Sequence, residues 1–172
     1  MITAIVYKSN TGFTEKYAMI LSEATGLKAI SLSEAKKVIQ PKEEIIYLGW
    51  IFAGIVSGLN KARRNYQVKA IGAVGLSENN KEYQKSVEKQ NKTSETPTFF
   101  LLGGVDRTKQ KGIRKWLFNI VVSLLIKEMN KKPEAEITEA EIKQVYYMQH
   151  GCDFVSLDQL KDLIQWYEKV KG

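Results

Sequence analysis

The sequence predicts an α/β protein built on a doubly wound, five-stranded parallel sheet. Short apolar runs alternate with segments of helical periodicity along most of its 172 residues. The third apolar run, Ile45–Leu48, is continuous, which is typical of a strand covered by helices on both faces. A hydroxyl-rich turn directly follows the first run and opens a helical pattern. In open parallel sheets, ligands bind at such turns, beyond the carboxyl ends of the strands.

The first strand and the first helix have the clearest pattern. Ile2–Tyr7 predicts the strand, and a helix with a periodic apolar face follows it. Thr25 and Gly26 then provide the glycine stop that is common after a last helical turn. The residues expected on the inward face of this helix are Tyr17, Ala18, Leu21 and Ala24.

The second and third strands are predicted at Leu27–Ile30 and Glu43–Gly49. Between them, Ser31 and Glu34 have the spacing of a capping box, which predicts a short helix. A second short helix, rich in basic residues, is predicted at Ser57–Tyr66 after the third strand.

The fourth and fifth strands are predicted at Lys69–Leu76 and Pro97–Leu102. The segment Ser77–Lys92 between them is a very polar helical pattern, of which Tyr83 and Val87 are expected to face inward. These elements complete the five strands of the predicted sheet.

The last helix is predicted at Leu157–Lys171, with Ser156 as its cap. Its expected inward face consists of Leu160, Leu163, Ile164 and Tyr167. About fifty residues separate this helix from the fifth strand, which predicts an insertion at about 105–153. The length suits a single domain over residues 1–172 that includes this insertion.

Composition and charge narrow the class of protein. The chain carries one cysteine, which excludes an intramolecular disulfide and favours a reducing compartment. It begins with a strand instead of a signal peptide, and no apolar run reaches the roughly 18 residues that a membrane-spanning helix needs. We therefore expect a cytoplasmic protein, and its net charge of +7 would allow contact with the inner face of a membrane.

The turn after the first strand has the residue types of a phosphate-binding loop. First-turn amides of a helix lack partners within the helix and carry the positive end of its dipole. A glycine allows close approach of an anion to the backbone, and hydroxyl side chains add donors. An ordinary hydroxyl-capped helix start is the alternative. The six residues of the predicted loop are Ser9, Asn10, Thr11, Gly12, Phe13 and Thr14.

Two familiar phosphate loops do not fit this turn. It lacks the Gly-Lys-Ser/Thr ending of triphosphate loops and the Gly-x-Gly-x-x-Gly pattern of dinucleotide-binding proteins. Hydroxyls and amides without a lysine or arginine favour a terminal phosphate monoester. The turn resembles the first loop of the flavodoxin family, Ser/Thr-x-Thr-Gly-x-Thr, and matches every specified position. The resemblance implies the cofactor FMN and a flavodoxin-like sheet of order 2-1-3-4-5, in which the loops after strands one and three are neighbours.

The loop after the third strand offers walls for a flavin ring, which is flat and mostly apolar. The expected ring contacts are Trp50, Ile51, Phe52, Ala53 and Gly54. The sequence does not show whether Trp50 or Phe52 stacks on the ring. For either residue, the alternative is that its side chain belongs to the core at the end of the strand. The family resemblance also implies contacts from the loop after the fourth strand, here Gly75, Leu76, Ser77 and Glu78, which lacks an aromatic residue.

The predicted insertion carries a helix with a wide apolar arc. Ile113–Met129 predicts this helix, and its polar stripe consists of Lys115, Asn119, Ser123 and Lys127. The segment Arg107–Lys132 has eight basic residues and one acidic residue, so its net charge (8 − 1 = +7) equals that of the whole chain. An apolar helix flanked by basic residues suits an anionic membrane surface. Burial in the protein's own fold or in a homodimer is the alternative.

The layout also resembles that of the flavodoxin-type, quinone-dependent protoporphyrinogen oxidases. The resemblance depends on Gly103–Arg107, on Trp116 and Lys127 in the basic insertion, and on the pair Asp153-Phe154 before the last helix. It implies an FMN-dependent oxidoreductase that transfers electrons or hydride from an organic donor, protoporphyrinogen IX in that family, to a quinone-like acceptor. The loop after strand three and the acidic stretch Glu134–Glu141 depart from the family's pattern.

Two other functions remain as alternatives. A soluble flavodoxin electron carrier is disfavoured by the +7 charge, because such carriers are usually acidic. A flavin-free interaction module is disfavoured by the intact first loop. No side chain is predicted as a catalytic acid or base. His150 and Cys152 are fewer ligands than a zinc site needs, so we expect no bound metal. The basic segment lacks the interleaved aromatic residues of a nucleic-acid-binding groove, so we expect no nucleic-acid partner.

Overall fold

The computed structural model describes residues 1–76, 81–109, 112–133 and 136–171. It divides into two compact units. The first comprises residues 1–103 and 155–172, and the second comprises residues 104–154. The second unit spans the segment in which the sequence predicts an insertion, while the assignment of the whole chain to a single domain stays a prediction.

The first unit contains a six-stranded sheet. Its strands are β1 (Ile2–Lys8), β2 (Lys28–Ser31), β3 (Glu44–Phe52), β4 (Ile55–Val56), β5 (Gln67–Gly75) and β6 (Thr98–Leu102). Five of them are parallel in the order β2-β1-β3-β5-β6, and the short β4 pairs antiparallel with the end of β3. The order of the five parallel strands is the predicted 2-1-3-4-5. The chain passes to β2 on one side of β1 and then to β3 on the other, so the strand order reverses between β1 and β3.

The described helices are α1 (Phe13–Thr25), α2 (Ala35–Val38), α3 (Leu59–Asn65), α4 (Lys81–Asn91), α5 (Gly112–Met129), α6 (Glu139–His150) and α7 (Lys161–Val170). Helix α7 directly follows a 3-10 turn at Leu157–Leu160. Helices α5 and α6 belong to the second unit, and the others belong to the first.

Each face of the sheet has its own hydrophobic core. On one face, α1 and the last two elements of the chain bury Tyr17, Leu21, Leu160 and Leu163 against the strands. On the other face, Ala35, Leu59, Ala62 and Val87 of α2, α3 and α4 are buried. Full burial of a leucine side chain contributes about 1.5 to 3 kcal/mol, so both helix layers stabilise the sheet substantially.

The continuous apolar run of β3 serves both cores. Ile46 and Leu48 point to the face of α1, while Ile45 and Tyr47 point to the opposite face, and all four are completely buried. Successive side chains of a strand point to opposite faces, so a strand between two helix layers must be apolar at every position. The predicted parallel sheet between two layers of helices is therefore confirmed.

Three local predictions of helix faces and caps were wrong. Ala24 is exposed, because the inward face of α1 ends at Leu21. Ser31 is the last residue of β2, and its hydroxyl contacts the Glu34 carboxylate at 3.0 Å without capping α2. Ser156 makes no side-chain cap, because the chain enters α7 through the 3-10 turn.

The second unit pairs two helices with a small antiparallel ribbon. Strand β7 (Gly104–Val105) pairs with β8 (Cys152–Asp153). Val105, Val122 and Met148 are buried, among those side chains of this unit that the structure describes, which do not include residues 110–117. None of the helices in the described ranges combines the length and the apolarity that crossing a membrane requires.

Helix α6 of the second unit was missed in the sequence, although a signal was present. The Thr138 hydroxyl accepts a hydrogen bond from the Glu141 amide at 3.2 Å, and the Glu141 carboxylate accepts one from the Thr138 amide at 2.9 Å. This reciprocal pair is a capping box, and its Thr-x-x-Glu spacing is visible in the sequence. This capping box lies in an acidic stretch, which made the start of the helix difficult to recognise.

Candidate functional site at the carboxyl edge of the sheet

The parallel pairing brings three loops to one edge of the sheet. Lys8, the last residue of β1, is in register with Gly49 of β3, and Trp50 is in register with Val74 of β5. The loop after β1, the end of β3 and the end of β5 are therefore neighbours, as the predicted strand order requires. The edge includes the reversal point between β1 and β3, where open α/β sheets bind their ligands.

The loop after β1 is shaped by a left-handed glycine. Gly12 has φ of 102° and is the N-cap of α1, and its carbonyl accepts the first helical hydrogen bond from the Lys16 amide at 2.9 Å. The Gly12 amide donates to Ser9 Oγ at 3.1 Å, which closes the turn. Thr14, in the first turn of α1, is 2% exposed. Ser9, Thr11 and Gly12 are partly buried, Asn10 is exposed and Phe13 is buried.

This geometry favours an anion over an ordinary capped helix. The cap residue is a glycine, so it offers no side-chain acceptor to the first-turn amides. Ser9 Oγ accepts from the Gly12 amide, which leaves the Ser9 hydroxyl proton to be donated elsewhere. The positive end of the α1 dipole lies at the same place. These donors form a set that an anionic oxygen can satisfy.

An acidic side chain near the loop is held by a neighbouring tyrosine. The Tyr7 hydroxyl at the end of β1 donates to Glu15 Oε1 at 2.8 Å, in the first turn of α1. Burial, followed by the hydrogen bond to Glu15, raises the pKa of Tyr7 to about 12. The Glu15 carboxylate at the helix start is therefore bound to a neutral phenol.

The predicted loop at Trp50–Gly54 is a β-hairpin, so the loop assignment was wrong. Strand β3 continues to Phe52, and the antiparallel pairs Ile51–Val56 and Phe52–Ile55 form its arms. Ala53 and Gly54 form the turn, with φ of 48° and 78°. Two successive residues with positive φ match the right-handed twist of a hairpin, but Ala-Gly is a weaker signal than Asn-Gly.

The two aromatic residues of this hairpin lie on one face of β3. Trp50 and Phe52 are two positions apart, and their ring centroids are 5.7 Å apart with the planes tilted by 55°. Trp50 is partly buried and Phe52 is 48% exposed. The Leu48 side chain precedes them on the same face and packs in the core under α1. The aromatic pair therefore continues the α1 face of the sheet beyond its core.

The other predicted ring contacts have different environments. Ile51 packs against the opposite core, and a Cβ at Gly75 would lie 3.2 Å from Ile51 Cδ1, so these two residues join the ends of β3 and β5. Ala53 is exposed at the turn, and Gly54, Gly75 and Leu76 are partly buried. Ser77 and Glu78 lie outside the described residues.

One residue important to this edge was missed in the sequence. Asn91, the last residue of α4, is 7% exposed and hydrogen-bonds to the backbone of the hairpin. Nothing in the polar pattern of the α4 segment distinguishes it from its exposed neighbours. A buried asparagine at a helix end becomes recognisable only when the strand that it contacts is known.

The remaining candidate groups do not form a site. Within the described residues no three histidine, cysteine or acidic side chains are grouped to hold a metal ion. The His150 ring stacks on Tyr146 with centroids 4.3 Å apart. The Cys152 thiol is partly buried, and burial raises its pKa, which disfavours the reactive thiolate.

The fold and the edge loops define the class of the molecule, an α/β protein with a mostly parallel sheet between two helix layers. Its candidate ligand site lies where the strand order reverses. A comparison of the sequence with protein-family models and with curated proteins gives no match. Because one fold can carry many functions, the residues of the site carry the functional assignment.

Proposed function

We propose that the protein is an FMN-binding oxidoreductase with a flavodoxin-like fold. It would transfer electrons or hydride between an organic donor and a quinone-like acceptor. The observation that carries the proposal is the loop Ser9–Thr14, with its left-handed Gly12 at the start of α1 and at the reversal point of the sheet.

The chemistry of the loop fits a single terminal phosphate. Such a group needs several donors that converge from one side, and the loop supplies amides, hydroxyls and the helix dipole. The Ser9 hydroxyl is oriented by the Gly12 amide, so its proton is available for a phosphate oxygen. The absence of a lysine or arginine between Ser9 and Thr14 favours one phosphate over the higher charge of a triphosphate.

The hairpin after β3 supports a flat apolar ring beside that phosphate. Trp50 and Phe52 present two aromatic surfaces on the α1 face, and the exposed half of Phe52 is available for contact. Gly49 lies on the opposite face of β3, where a Cβ would be 2.8 Å from the Ser57 carbonyl oxygen, so the chain packs closely against that face. Trp50 and Phe52 would hold the ring and exclude water from one of its faces.

Bound FMN would supply the redox chemistry, because its ring accepts and donates one or two electrons. The chain's own residues would bind the phosphate, orient the ring and limit solvent access. Protoporphyrinogen IX is the donor that the resemblance of the layout suggests, and a quinone is the corresponding acceptor. No side chain at the edge is assigned as an acid or base.

The second unit supports the choice of a quinone, because quinones dissolve in membranes. Leu124 is 55% exposed on α5, and Leu125 beside it is 36% exposed. These leucines lie within the segment Arg107–Lys132, which has eight basic residues and one acidic residue. Exposed apolar side chains among basic residues fit the surface of an anionic bilayer, where each basic residue contributes about 1 kcal/mol.

Purification and turnover test the proposal. The protein should be yellow and should release FMN on denaturation. With FMN bound, it should reduce menaquinone when a porphyrinogen is supplied, and faster than it reduces simple one-electron acceptors. A colourless protein that does not take up added FMN would contradict the cofactor assignment. Equal rates of reduction of menaquinone and of one-electron acceptors would favour an electron carrier.

A further inference from the structure

The side chain of Asn91 connects helix α4 to both sides of the hairpin turn. Its Oδ1 accepts a hydrogen bond from the Val56 amide at 2.9 Å. Its Nδ2 donates to the Gly54 carbonyl at 2.7 Å and to the Val87 carbonyl at 2.8 Å. The first two bonds hold the hairpin backbone, and the third fixes the amide against its own helix.

Asparagine is the residue type that this position needs. The site requires one acceptor and two donors at the end of a short side chain, and the amide of asparagine supplies both. Aspartate would place a carboxylate against the two carbonyls of Gly54 and Val87, and glutamine would be one methylene too long. Since the Asn91 side chain is buried, removal of the amide would leave the Val56 amide and the Gly54 carbonyl without these partners.

The hairpin depends on this support because it is very short. Its arms consist of the two pairs Ile51–Val56 and Phe52–Ile55, and isolated two-stranded hairpins are marginally stable at best. The Asn91 main chain is itself held, since Arg63 Nη1 donates to its carbonyl at 2.7 Å. Helix α4 also lies against the turn, where a Cβ on Gly54 would be 2.6 Å from Gln90 Oε1.

We infer that Asn91 is a positioning residue for the flavin ring, acting through the hairpin that carries Trp50 and Phe52. The hairpin begins at Trp50, whose carbonyl accepts from the Ser57 amide at 2.8 Å, so a shift of the turn moves the aromatic pair. This inference rests on the proposed function and adds to it a residue that does not itself contact the ring.

Two substitutions in the same helix separate positioning from stability. Asn91→Ala removes the three hydrogen bonds, whereas Val87→Ala removes buried packing and keeps the Val87 carbonyl. Titration of each purified variant with FMN and with riboflavin gives the affinities, and thermal unfolding gives the loss of stability. We expect Asn91→Ala to weaken the binding of both flavins by the same factor of about ten, because binding must then order a hairpin that has lost its hydrogen bonds to α4. Val87→Ala should leave both affinities within about twofold at a similar melting temperature.

The equal effect on the two flavins is the signature of ring positioning. A defect in the phosphate loop would weaken FMN and spare riboflavin, and general destabilisation would affect Asn91→Ala and Val87→Ala alike. If the two variants bind FMN with the same affinity, the inference is wrong and the proposed function stands. If the wild-type protein binds neither flavin, the proposed function itself fails.

A measurement on the wild-type protein covers the case in which Asn91→Ala does not fold. Hydrogen exchange at the Val56 amide reports directly on the bond to Asn91. We expect FMN to slow exchange at Val56 severalfold and to leave unchanged the Lys171 amide, which bonds to the Tyr167 carbonyl at the end of α7 and opens by local fraying. Exchange at Val56 that is indifferent to FMN would contradict the coupling between Asn91 and the ring.

Discussion

The Gly12 amide donates a hydrogen bond to Ser9 Oγ at 3.1 Å, across the turn that joins β1 to α1. This bond has two consequences. It holds Gly12 in its left-handed conformation at the start of the helix, and it directs the remaining proton of the Ser9 hydroxyl away from Gly12. Ser9 thus stabilises the turn and can also donate a hydrogen bond to an anion. The variants Ser9→Ala and Gly12→Ala separate binding of the anion from stability of the turn.

Ser9→Ala should weaken FMN by about 10- to 100-fold, because a hydrogen bond to a charged group contributes about 1.5 to 3 kcal/mol. Riboflavin lacks the phosphate, so its affinity should not change. Ser22→Ala is the matched control, since the Ser22 hydroxyl donates to the Leu27 carbonyl at 2.6 Å near the other end of α1. Fluorescence titration with both flavins measures the effect, and an equal loss for FMN and riboflavin would contradict a phosphate role.

Gly12→Ala should lower the free energy of unfolding by about 1 to 2 kcal/mol, because a left-handed conformation is strained for alanine. It should also abolish measurable FMN binding, since the loop cannot keep its geometry. Gly26→Ala has the same conformational cost at the other end of α1, where φ is 73° and no atom lies within 4 Å of an added Cβ. Urea unfolding should show similar losses for both variants. FMN binding that survives Gly12→Ala would contradict the proposed loop.

The pair Tyr7–Glu15 predicts how stability changes at alkaline pH. Burial and the Glu15 carboxylate raise the pKa of Tyr7 from 10.0 to about 12, so the neutral phenol is favoured in the folded state. The resulting stabilisation is complete below pH 10 and is lost as the pH rises toward 12. Tyr7→Phe should reduce the decline of stability in this range by up to about 1.4 kcal/mol per pH unit.

Glu15→Gln is the companion variant for this measurement. It removes the carboxylate and leaves the burial of Tyr7, which is the largest single cause of the raised pKa. The pH range over which the free energy of unfolding declines should therefore become narrower without vanishing. Urea unfolding between pH 9 and about pH 12 measures both variants, and an unchanged profile in Tyr7→Phe would show that Tyr7 does not titrate with unfolding.

The exposed leucines of α5 predict binding to anionic vesicles that decreases with salt. Replacement of Leu124 and Leu125 by serine should reduce flotation with vesicles that contain phosphatidylserine, because insertion of apolar side chains is lost. Val38→Ser is the matched control, since Val38 is 53% exposed and Leu124 is 55% exposed. Binding should fall at high ionic strength in the wild-type protein. No binding to anionic vesicles at low salt would contradict membrane docking.

The sequence predicted the sheet well because its signals are local and strong. The continuous apolar run of β3 and the hydroxyl-rich turn before α1 depend on neighbouring residues alone, and the strand order followed from the resemblance of that turn. The inward face of the last helical segment was predicted for the same reason: Leu160 of the 3-10 turn and Leu163 and Tyr167 of α7 are buried, and Ile164 is partly buried.

The hairpin and its support could not be predicted in the same way. Strand β3 continues through Phe52 because Ile55 and Val56 pair back on it, and a two-residue arm leaves almost no pattern. Ala53 adopts positive φ, which is uncommon for alanine and gives no sequence signal. The role of Asn91 depends on a partner 35 positions earlier in the chain, so it emerges only from the tertiary structure.

The most direct test of the account compares FMN with riboflavin by calorimetric titration of the wild-type apoprotein. The two ligands share the ring and differ in the phosphate that Ser9, Gly12 and Thr14 are proposed to bind. We expect one FMN per chain and an affinity at least about 100-fold higher than that for riboflavin, equivalent to two charge-assisted hydrogen bonds. Equal affinities for the two ligands, or no binding of either, would contradict the claim that this turn is a flavin phosphate site.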